Sequence, residues 1–211
     1  MKPHPQKPTE REKVFSNLRK ALQGVEKVSR PEIDFSQVVA ENRLGEDDLW
    51  QCFARNFQGV RGKYVDSIPD LASFIRDNGL KKGYCDPRLQ ERVGDPLKAY
   101  FEVEFVYSRE SVDEFEFGIT VGSGVVAETG SIILEDGQTS NRLAAIAPWL
   151  HVAVVREDAI FRTVRQALTN MGDDPNIIWV TGPSKTGDIE GILVEGVHGP
   201  GEQVCFRLGL A

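Results

Sequence analysis

Short apolar runs and amphipathic helical patterns alternate along this chain from about Tyr64 onward. Residues 150–155 and 177–180 are almost continuously apolar, which is typical of strands buried on both faces. Because amphipathic segments separate such runs, the alternation predicts an α/β fold with a mainly parallel, doubly wound sheet and crossover helices on both faces. Ligands of these sheets bind beyond the carboxyl ends of the strands, so we expect a functional site at that edge.

The segment 177–200, IIWVTGPSKTGDIEGILVEGVHGP, predicts a buried strand, a tight loop and a helix. Gly182 and Pro183 end the strand, and Ser184 or Thr186 can cap the helix through its hydroxyl. Apolar residues then recur at helical spacing, at Ile189, Ile192, Leu193 and Val197.

The loop at residues 182–187 is rich in Gly, Ser, Lys and Thr, and a helix that follows such a loop leaves backbone N–H groups to which anions bind. A phosphate or carboxylate site is therefore one interpretation. Lys185 follows Gly182 by only three residues, which does not match G-x-x-x-x-G-K-[ST] and disfavours a nucleoside triphosphatase. The other interpretation is an ordinary turn whose caps serve the helix alone.

A second apolar stretch, ITVGSGVVAETGSIIL at residues 119–134, predicts two strands joined at residues 128–130. Glu128 stands between the two apolar runs. Burying an unpaired carboxylate is costly, so we expect Glu128 to be hydrogen-bonded or at the surface. It is either a solvated turn residue or part of a functional site.

The remaining patterns predict shorter elements. Helices are expected over residues 46–57, 69–79, 87–93, 138–149 and 158–172. Strands are expected at residues 64–65, 84–85 and 204–208, and the alternation at residues 101–107 indicates an exposed or edge strand.

The amino-terminal part differs in composition from the rest. Its first eight residues hold three prolines and two lysines and are expected to be a disordered tail. Thr9 then opens an amphipathic helix that ends near Gly24, and residues 28–45 indicate a linker. We therefore predict a tail, helix and linker over residues 1–45 and one α/β domain over residues 46–211.

Composition excludes several classes of function. The net charge of −7 argues against nucleic acid as the main partner. The longest apolar runs are too short for a membrane span, and the polar start MKPHPQKPTE lacks a signal region, so we expect a cytoplasmic protein. The three cysteines and three histidines lack metal-ligand spacing, which predicts that this chain alone holds no metal, iron–sulfur cluster or other cofactor.

Four motifs occur in order along the second half of the chain. They are AETGS at 127–131, HVAVVR at 151–156, TGPSKTGDIE at 181–190 and GVHGP at 196–200. Together they resemble the LUD domain of the lactate utilisation protein C family (LutC/YkgG). The resemblance is good over residues 119–208, and four motifs in register are far more specific than one.

The resemblance implies a fold like that of glucosamine-phosphate isomerase, ribose-phosphate isomerase and the coenzyme A transferases. It also implies a role in oxidising L-lactate to pyruvate beside two partner subunits, at least one of which carries iron–sulfur clusters. No settled catalytic residue comes with the family. With the loop residues named above, the motif matches give these candidate ligand-binding residues: Thr129, Gly182, Ser184, Lys185, Thr186, Asp188 and Glu190.

Two functional classes stay open. In the first, the chain is an accessory subunit whose loops bind a partner or a small carboxylate or phosphate. In the second, it is an enzyme in which Glu128 attacks a thioester, as a glutamate does in coenzyme A transferases of the same fold. In either class we expect Glu128 and residues 184–188 to face one cleft, because the carboxyl ends of parallel strands share an edge.

Overall fold

The computed structural model describes residues 9–24, 48–108, 110, 112–138, 141–172, 174, 176–187 and 193–210. The chain divides into two compact units, residues 1–40 and 41–211. The predicted tail, the predicted linker and the boundary between residues 45 and 46 lie outside the described residues and stay predictions. None of the described helices is both long and apolar enough to cross a bilayer.

The first unit contains helix α1 (Glu10–Leu22). Thr9 caps it, as predicted: the Thr9 hydroxyl accepts a hydrogen bond from the Glu12 N–H at 3.3 Å, and the Thr9 N–H donates to the Glu12 carboxylate at 2.7 Å. This reciprocal capping box satisfies two amides that the first helical turn leaves unpaired, which explains why the helix starts here.

The second unit contains most of the secondary structure. Its helices are α2 (Leu49–Gly59), α3 (Ile68–Asp77), α4 (Asp95–Leu97), α5 (Arg142–Ile146) and α6 (Val164–Asn170). Its short helical turns are Pro87–Leu89, Gln90–Gly94 and Val112–Glu114. Its strands are β1 (Lys63–Val65), β2 (Lys82–Cys85), β3 (Glu102–Glu104), β4 (Phe117–Val121), β5 (Gly124–Val126), β6 (Ser131–Glu135), β7 (Leu150–Arg156), β8 (Ile160–Phe161), β9 (Ile177–Val180), β10 (Lys185–Gly187), β11 (Leu193–Glu195) and β12 (Glu202–Leu208).

Six strands form a central sheet in the order β1-β12-β7-β4-β2-β3, and every neighbouring pair is parallel. This confirms the predicted α/β class with a mainly parallel sheet. The short strand β3 lies at one edge, as its alternating sequence indicates.

Both faces of the central sheet are covered. On one face, apolar residues of β4, β7 and β12 pack with α3 and the helical stretch that ends at Leu97. On the other face, Ala153 and Cys205 pack with Phe53 of α2 and with Ile132 of β6. Alternate residues of a strand point to opposite faces, so the continuously apolar β7 can serve both cores.

A second, four-stranded sheet has the order β8-β5-β6-β9. The β5–β6 and β6–β9 pairs are antiparallel, and the β5–β8 pair is parallel. The predicted pair of strands joined at residues 128–130 is thus confirmed as β5 and β6. The apolar run before them is split between two sheets: the Gly122 N–H donates to Val154 of the central sheet, and the Ser123 N–H donates to Ile133 of the second sheet.

Several sequence predictions are wrong in detail. The helix expected over residues 158–172 begins only at Val164, because Ile160 and Phe161 pair with β5 and Thr163 caps α6. The helix expected over residues 138–149 is shorter than predicted, because α5 covers only Arg142–Ile146. Strand β9 is partly exposed rather than buried on both faces, because it forms the edge of the second sheet.

The helix expected after Ser184 is also wrong. Residues 185–187 and 193–195 form an antiparallel pair instead, with Thr186 opposite Val194. Within the described residues neither Ser184 nor Thr186 caps a helix, so the helix dipole that supported an anion site in this loop has no basis there. Ile189 and Ile192, whose spacing suggested the helix, lie outside the part of the chain that the structure describes.

Candidate functional site

The AETGS motif and the start of the TGPSKTGDIE motif meet at one edge of the four-stranded sheet. Strand β6 begins directly after the turn at residues 127–130, and β9 ends directly before Thr181. In the antiparallel β6–β9 pair, Ile132 lies opposite Val180, so the start of one strand is beside the end of the other. The expected reason for this proximity is therefore wrong: antiparallel pairing, not parallel convergence, brings the turn and the loop together.

Three hydroxyl groups connect the turn to the loop. The Ser131 hydroxyl oxygen lies 2.7 Å from that of Thr129 and 2.7 Å from that of Thr181. Ser131 is buried, with 4% of its surface exposed, whereas Thr181 is exposed. Two hydrogen bonds use two of the three hydroxyl hydrogens in this hydroxyl row. When Thr129 donates to Ser131 and Ser131 donates to Thr181, the spare hydrogen is that of Thr181, which can donate it to a ligand oxygen or to water.

Glu128 is held by helix α6. One oxygen of its carboxylate accepts a hydrogen bond from the Val164 N–H, at the first residue of α6, at 3.2 Å. The Glu128 N–H donates to the Arg162 carbonyl at 3.2 Å. A carboxylate at this position satisfies an otherwise unpaired amide and suits the positive end of the helix dipole. Glu128 is thus a half-buried, hydrogen-bonded turn residue, as its sequence position required.

The carboxyl-terminal part of α2 supports both segments. The Asn56 side-chain amide donates to the Ala127 carbonyl at 2.7 Å and to the Glu128 carbonyl at 3.2 Å. Gly130 has φ 64°, and a Cβ there would be 2.4 Å from the backbone nitrogen of Phe57. Sequence reasoning missed Asn56, because nothing in α2 itself indicates a contact with a turn 71 residues away.

The loop after β9 also lies against the end of α2. Gly182 has φ 86°, and a Cβ there would be 2.4 Å from the Val60 carbonyl oxygen. The Lys185 ammonium donates to the same oxygen at 3.2 Å. The Lys185 charge and Gly182 therefore lie against the same carbonyl oxygen at the end of α2.

Charges of both signs surround Lys185. Its ammonium lies 3.9 Å from the Glu195 carboxylate, which also pairs with Arg61 at 3.0 Å. Burial, followed by the charge of Glu195, raises the pKa of Glu202, and Arg61 opposes this shift. The cations are thus partly compensated, and a ligand anion would compete with Glu195 for them.

The other candidate residues have different surroundings. The Ser184 N–H donates to the Pro200 carbonyl at 2.9 Å, and the Ser184 carbonyl accepts from Gly196 at 3.1 Å, so its backbone is used within the protein. Asp188 and Glu190 lie outside the described residues. The cleft expected between Glu128 and residues 184–188 stays a prediction, whereas the contacts above join Thr129 to Thr181.

His151, the first residue of the HVAVVR motif, belongs to a different, fully buried polar row. Its Nε2 lies 2.9 Å from the Thr120 hydroxyl, and its Nδ1 lies 2.9 Å from the Gln203 amide nitrogen. Burial lowers the pKa of His151 to about 4, against an opposing effect of the Gln203 bond. The imidazole is therefore neutral near pH 7, and it is fully buried in the protein interior.

In the described ranges, no three or more His, Cys, Asp and Glu side chains are grouped so that they could hold a metal ion. Cys52, Cys85 and Cys205 are all buried, on α2, β2 and β12 respectively.

A family model described as the LUD domain matches residues 89–206. The chain belongs to the LUD domain family. The matched region contains every strand from β3 to β11 and most of β12, and it includes both segments of the hydroxyl row. The resemblance that the four sequence motifs carry is thereby confirmed.

Curated LUD relatives are named lactate utilization protein C. The protein from Macrococcus caseolyticus is 27% identical over 209 residues, which cover 88% of this chain and 90% of that relative. The protein from Deinococcus radiodurans is 37% identical over 98 residues, covering 44% of this chain and 46% of the relative. The match to the Bacillus subtilis protein is 31% over 99 residues and covers 41% of that relative. This chain thus aligns with less than half the length of the latter two.

A crystal structure of a DUF162 family protein from Deinococcus radiodurans has the same fold. Its TM-score is 0.52 at 19% identity, over 76% of this chain and 96% of that chain. At this identity the similarity concerns the fold alone.

Proposed function

We propose that this chain acts in lactate utilisation, as a cytoplasmic accessory subunit of a complex that oxidises L-lactate. The alignment with the Macrococcus relative supports this role, because it covers 88% of this chain and 90% of a protein named for lactate utilization. In this proposal other subunits, including an iron–sulfur protein, carry the electrons. In the accessory role this chain contributes a binding surface.

The binding surface that we propose is the exposed end of the hydroxyl row, with a small carboxylate as its ligand and phosphate as the other anion to be tested. One observation carries this choice: the Ser131 hydroxyl lies 2.7 Å from both threonine hydroxyls, and when Thr129 donates to Ser131 and Ser131 donates to Thr181, the Thr181 hydrogen is left for a ligand. Lys185 lies beside the same loop and adds a cation. A hydroxyl donor and a nearby ammonium are complementary to a carboxylate oxygen.

Titration of the purified chain tests the binding site. We expect L-lactate or pyruvate to shift the backbone amide NMR signals of Thr129, Ser131 and Thr181. The Thr181→Val variant should weaken binding because it removes the exposed hydroxyl. Thr169→Val is the matched control, because the Thr169 hydroxyl donates to the Arg165 carbonyl within α6. Equal binding by both variants would contradict the site.

Growth and co-purification test the complex. A strain that lacks this gene should lose growth on L-lactate and keep growth on pyruvate. The tagged chain, isolated from lactate-grown cells, should carry an iron–sulfur partner that gives visible absorbance. Unchanged growth on L-lactate would argue against the proposed role.

The alternative is an enzyme with coenzyme A transferase chemistry. The Glu128 carboxylate would attack a thioester carbonyl, forming an acyl-glutamyl anhydride and releasing the thiolate. The bond from the Val164 N–H to Glu128 favours the accessory role, because it gives this carboxylate a structural task. Exchange of acyl groups between thioester and free acid, catalysed by the purified chain alone, would reverse this preference.

A further inference from the structure

The central sheet has a point at which the direction of its connections reverses. After β2 the chain passes along the face that α3 covers and reaches β3 at the edge of the sheet. After β4 it passes along the opposite face, through the second sheet and α5, and reaches β7 on the other side of β4. The two connections therefore diverge from the neighbouring carboxyl ends of β2 and β4. In open parallel sheets, ligands bind in the crevice at such a point.

A completely buried carboxylate lies at the β2 side of this crevice. Asp86 directly follows β2, and its N–H donates to the Ile119 carbonyl of β4 at 2.9 Å. Its two carboxylate oxygens accept hydrogen bonds from the Arg88 guanidinium, at 3.0 Å from Nε and 2.8 Å from Nη2. The Arg88 backbone N–H also donates to Asp86 Oδ1, at 3.0 Å. One carboxylate thus fixes both the position and the plane of the guanidinium.

This ion pair has its negative group inside the protein and its positive group outside. The Arg88 side chain is 48% exposed, whereas the Asp86 side chain is completely buried. The side-chain hydrogen bonds to Asp86 raise the pKa of Arg88, so the guanidinium stays charged. Burying a carboxylate costs solvation energy, and an apolar pair at such a position is often as stable. The stability of the fold alone therefore does not explain the pair, whereas an arginine held ready for a ligand does.

Two hydrogen-bond donors of Arg88 are left over. A guanidinium has five N–H bonds. Asp86 accepts from Nε and from Nη2, and the Gln138 carbonyl accepts from the second hydrogen of Nη2. Within the residues that the structure describes, the two N–H bonds of Nη1 have no acceptor. Each of them can donate to an oxygen of a carboxylate or phosphate group.

We propose that Arg88, at the crevice between β2 and β4, binds the carboxylate or phosphate group of a small ligand through Nη1. Asp86 orients the guanidinium for this contact. The site goes beyond the proposed function, because the hydroxyl row belongs to the four-stranded sheet and Arg88 follows a strand of the central sheet.

Titration of the full chain with sodium acetate and with sodium phosphate, at constant ionic strength in sodium chloride, tests the site. The Nε–H NMR signal of Arg88 should shift to saturation, because Nε and Nη1 belong to one conjugated group. In variants, binding is followed through the backbone amide of residue 86. Arg88→Lys should weaken binding about tenfold, since an ammonium that pairs with Asp86 has no rigid donor directed at the ligand. Arg92→Lys is the matched control and should bind as the unchanged chain does, because this exposed arginine of the same segment donates to the Gly209 carbonyl instead.

A second variant keeps the test valid if Arg88→Lys fails to fold. The double variant Asp86→Asn with Arg88→Gln leaves an amide pair and no buried charge, so it should keep the fold. It should bind neither anion at this site. Thr181→Val should bind both anions here as the unchanged chain does, because it alters only the hydroxyl row. Thermal unfolding shows whether each variant is folded.

Three results would overturn the proposal. The first is an Arg88 signal that moves in proportion to the anion concentration and never saturates. The second is equal affinity of Arg88→Lys and Arg92→Lys, or undiminished binding by the double variant. The third is a saturable shift of the Arg88 signal that disappears in Thr181→Val, which would assign the anion to the hydroxyl row.

Discussion

The Ser131 hydroxyl oxygen lies 2.7 Å from the Thr181 hydroxyl oxygen, although 50 residues separate them in the chain. This contact joins the AETGS turn to the TGPSKTG loop at the edge of the four-stranded sheet. It depends on the antiparallel β6–β9 pair, which fixes Ile132 opposite Val180 one residue away. Two segments that the sequence marks separately are thus one structural unit.

A double-mutant cycle should detect this contact. Ser131→Ala removes the buried central hydroxyl, and we expect a loss of about 1 kcal/mol in the free energy of unfolding. Thr181→Val should cost less, because Thr181 is exposed. The coupling energy from urea unfolding of both single variants and the double variant should be about 0.5 kcal/mol or more. Strict additivity would contradict a hydrogen bond between the two side chains.

Substitution of Gly182 tests how closely the loop lies against α2. Gly182→Ala places a residue with a side chain at φ 86° and brings its Cβ to 2.4 Å from the Val60 carbonyl. We expect a loss of about 1–3 kcal/mol in thermal or urea unfolding. Gly187→Ala is the control, because a Cβ there meets no atom within 4 Å. Equal stability of the two variants would show that the loop moves freely from Val60.

The predictions from sequence were best where a signal is local. Thr9 with Glu12, and Pro69 followed by Gly79, are caps and breakers that act within a few residues, and the corresponding helices α1 and α3 were predicted. The long apolar runs of β7 and β12 likewise indicate central strands, because burial on both faces leaves no polar positions.

The errors occurred where a distant partner decides the structure. Ile160 and Phe161 fit a helical pattern, but they pair with Val125 and Val126 of β5. Lys185–Gly187 forms a strand because Leu193–Glu195 lies beside it. Sequence spacing cannot distinguish these outcomes, because short apolar patterns are compatible with both periods and the deciding contact is non-local.

The candidate site was predicted only in part, for the same reason. The position next to apolar strands indicates Glu128 and the loop after β9, and the motif resemblance adds Thr129. Ser131 was not, because a serine at the start of a strand carries no local signal of burial. Asn56 was not, because its partners Ala127 and Glu128 are reached only after α2 packs on the second sheet.

Stability should depend on pH through His151. Its pKa is about 4 in the folded state and about 6.5 when unperturbed. Above pH 6.5 the His151 side chain is neutral in both the folded and the unfolded state. Below pH 6.5 the unfolded chain binds a proton at His151, whereas the folded protein binds one there only near pH 4. His151 should therefore lower stability progressively between these values, by about 3 kcal/mol in total.

Urea unfolding at several pH values measures this effect. His151→Asn removes the titrating group, so its stability should fall less steeply between pH 6.5 and pH 4, even though the variant starts from a lower value. The comparison concerns slopes rather than absolute stability, because Thr120 and Gln203 also lose contacts with the ring. Identical slopes for the two proteins would show that His151 is not the group responsible.

Glu128 allows the structural and functional tasks of one carboxylate to be separated. Glu128→Ala removes the acceptor for the Val164 N–H and should cost about 1 kcal/mol in the free energy of unfolding. Glu128→Gln keeps an acceptor oxygen of the same shape and loses only the interaction of the charge with the α6 dipole, so its cost should be about 0.5 kcal/mol. If Glu128 also faces the ligand cleft, Glu128→Gln should alter growth on L-lactate and tighten the binding of a carboxylate ligand, because removal of the negative charge lessens its repulsion of the anion. Full growth and unchanged ligand binding in Glu128→Gln, together with the loss of stability in Glu128→Ala, would restrict this residue to holding α6.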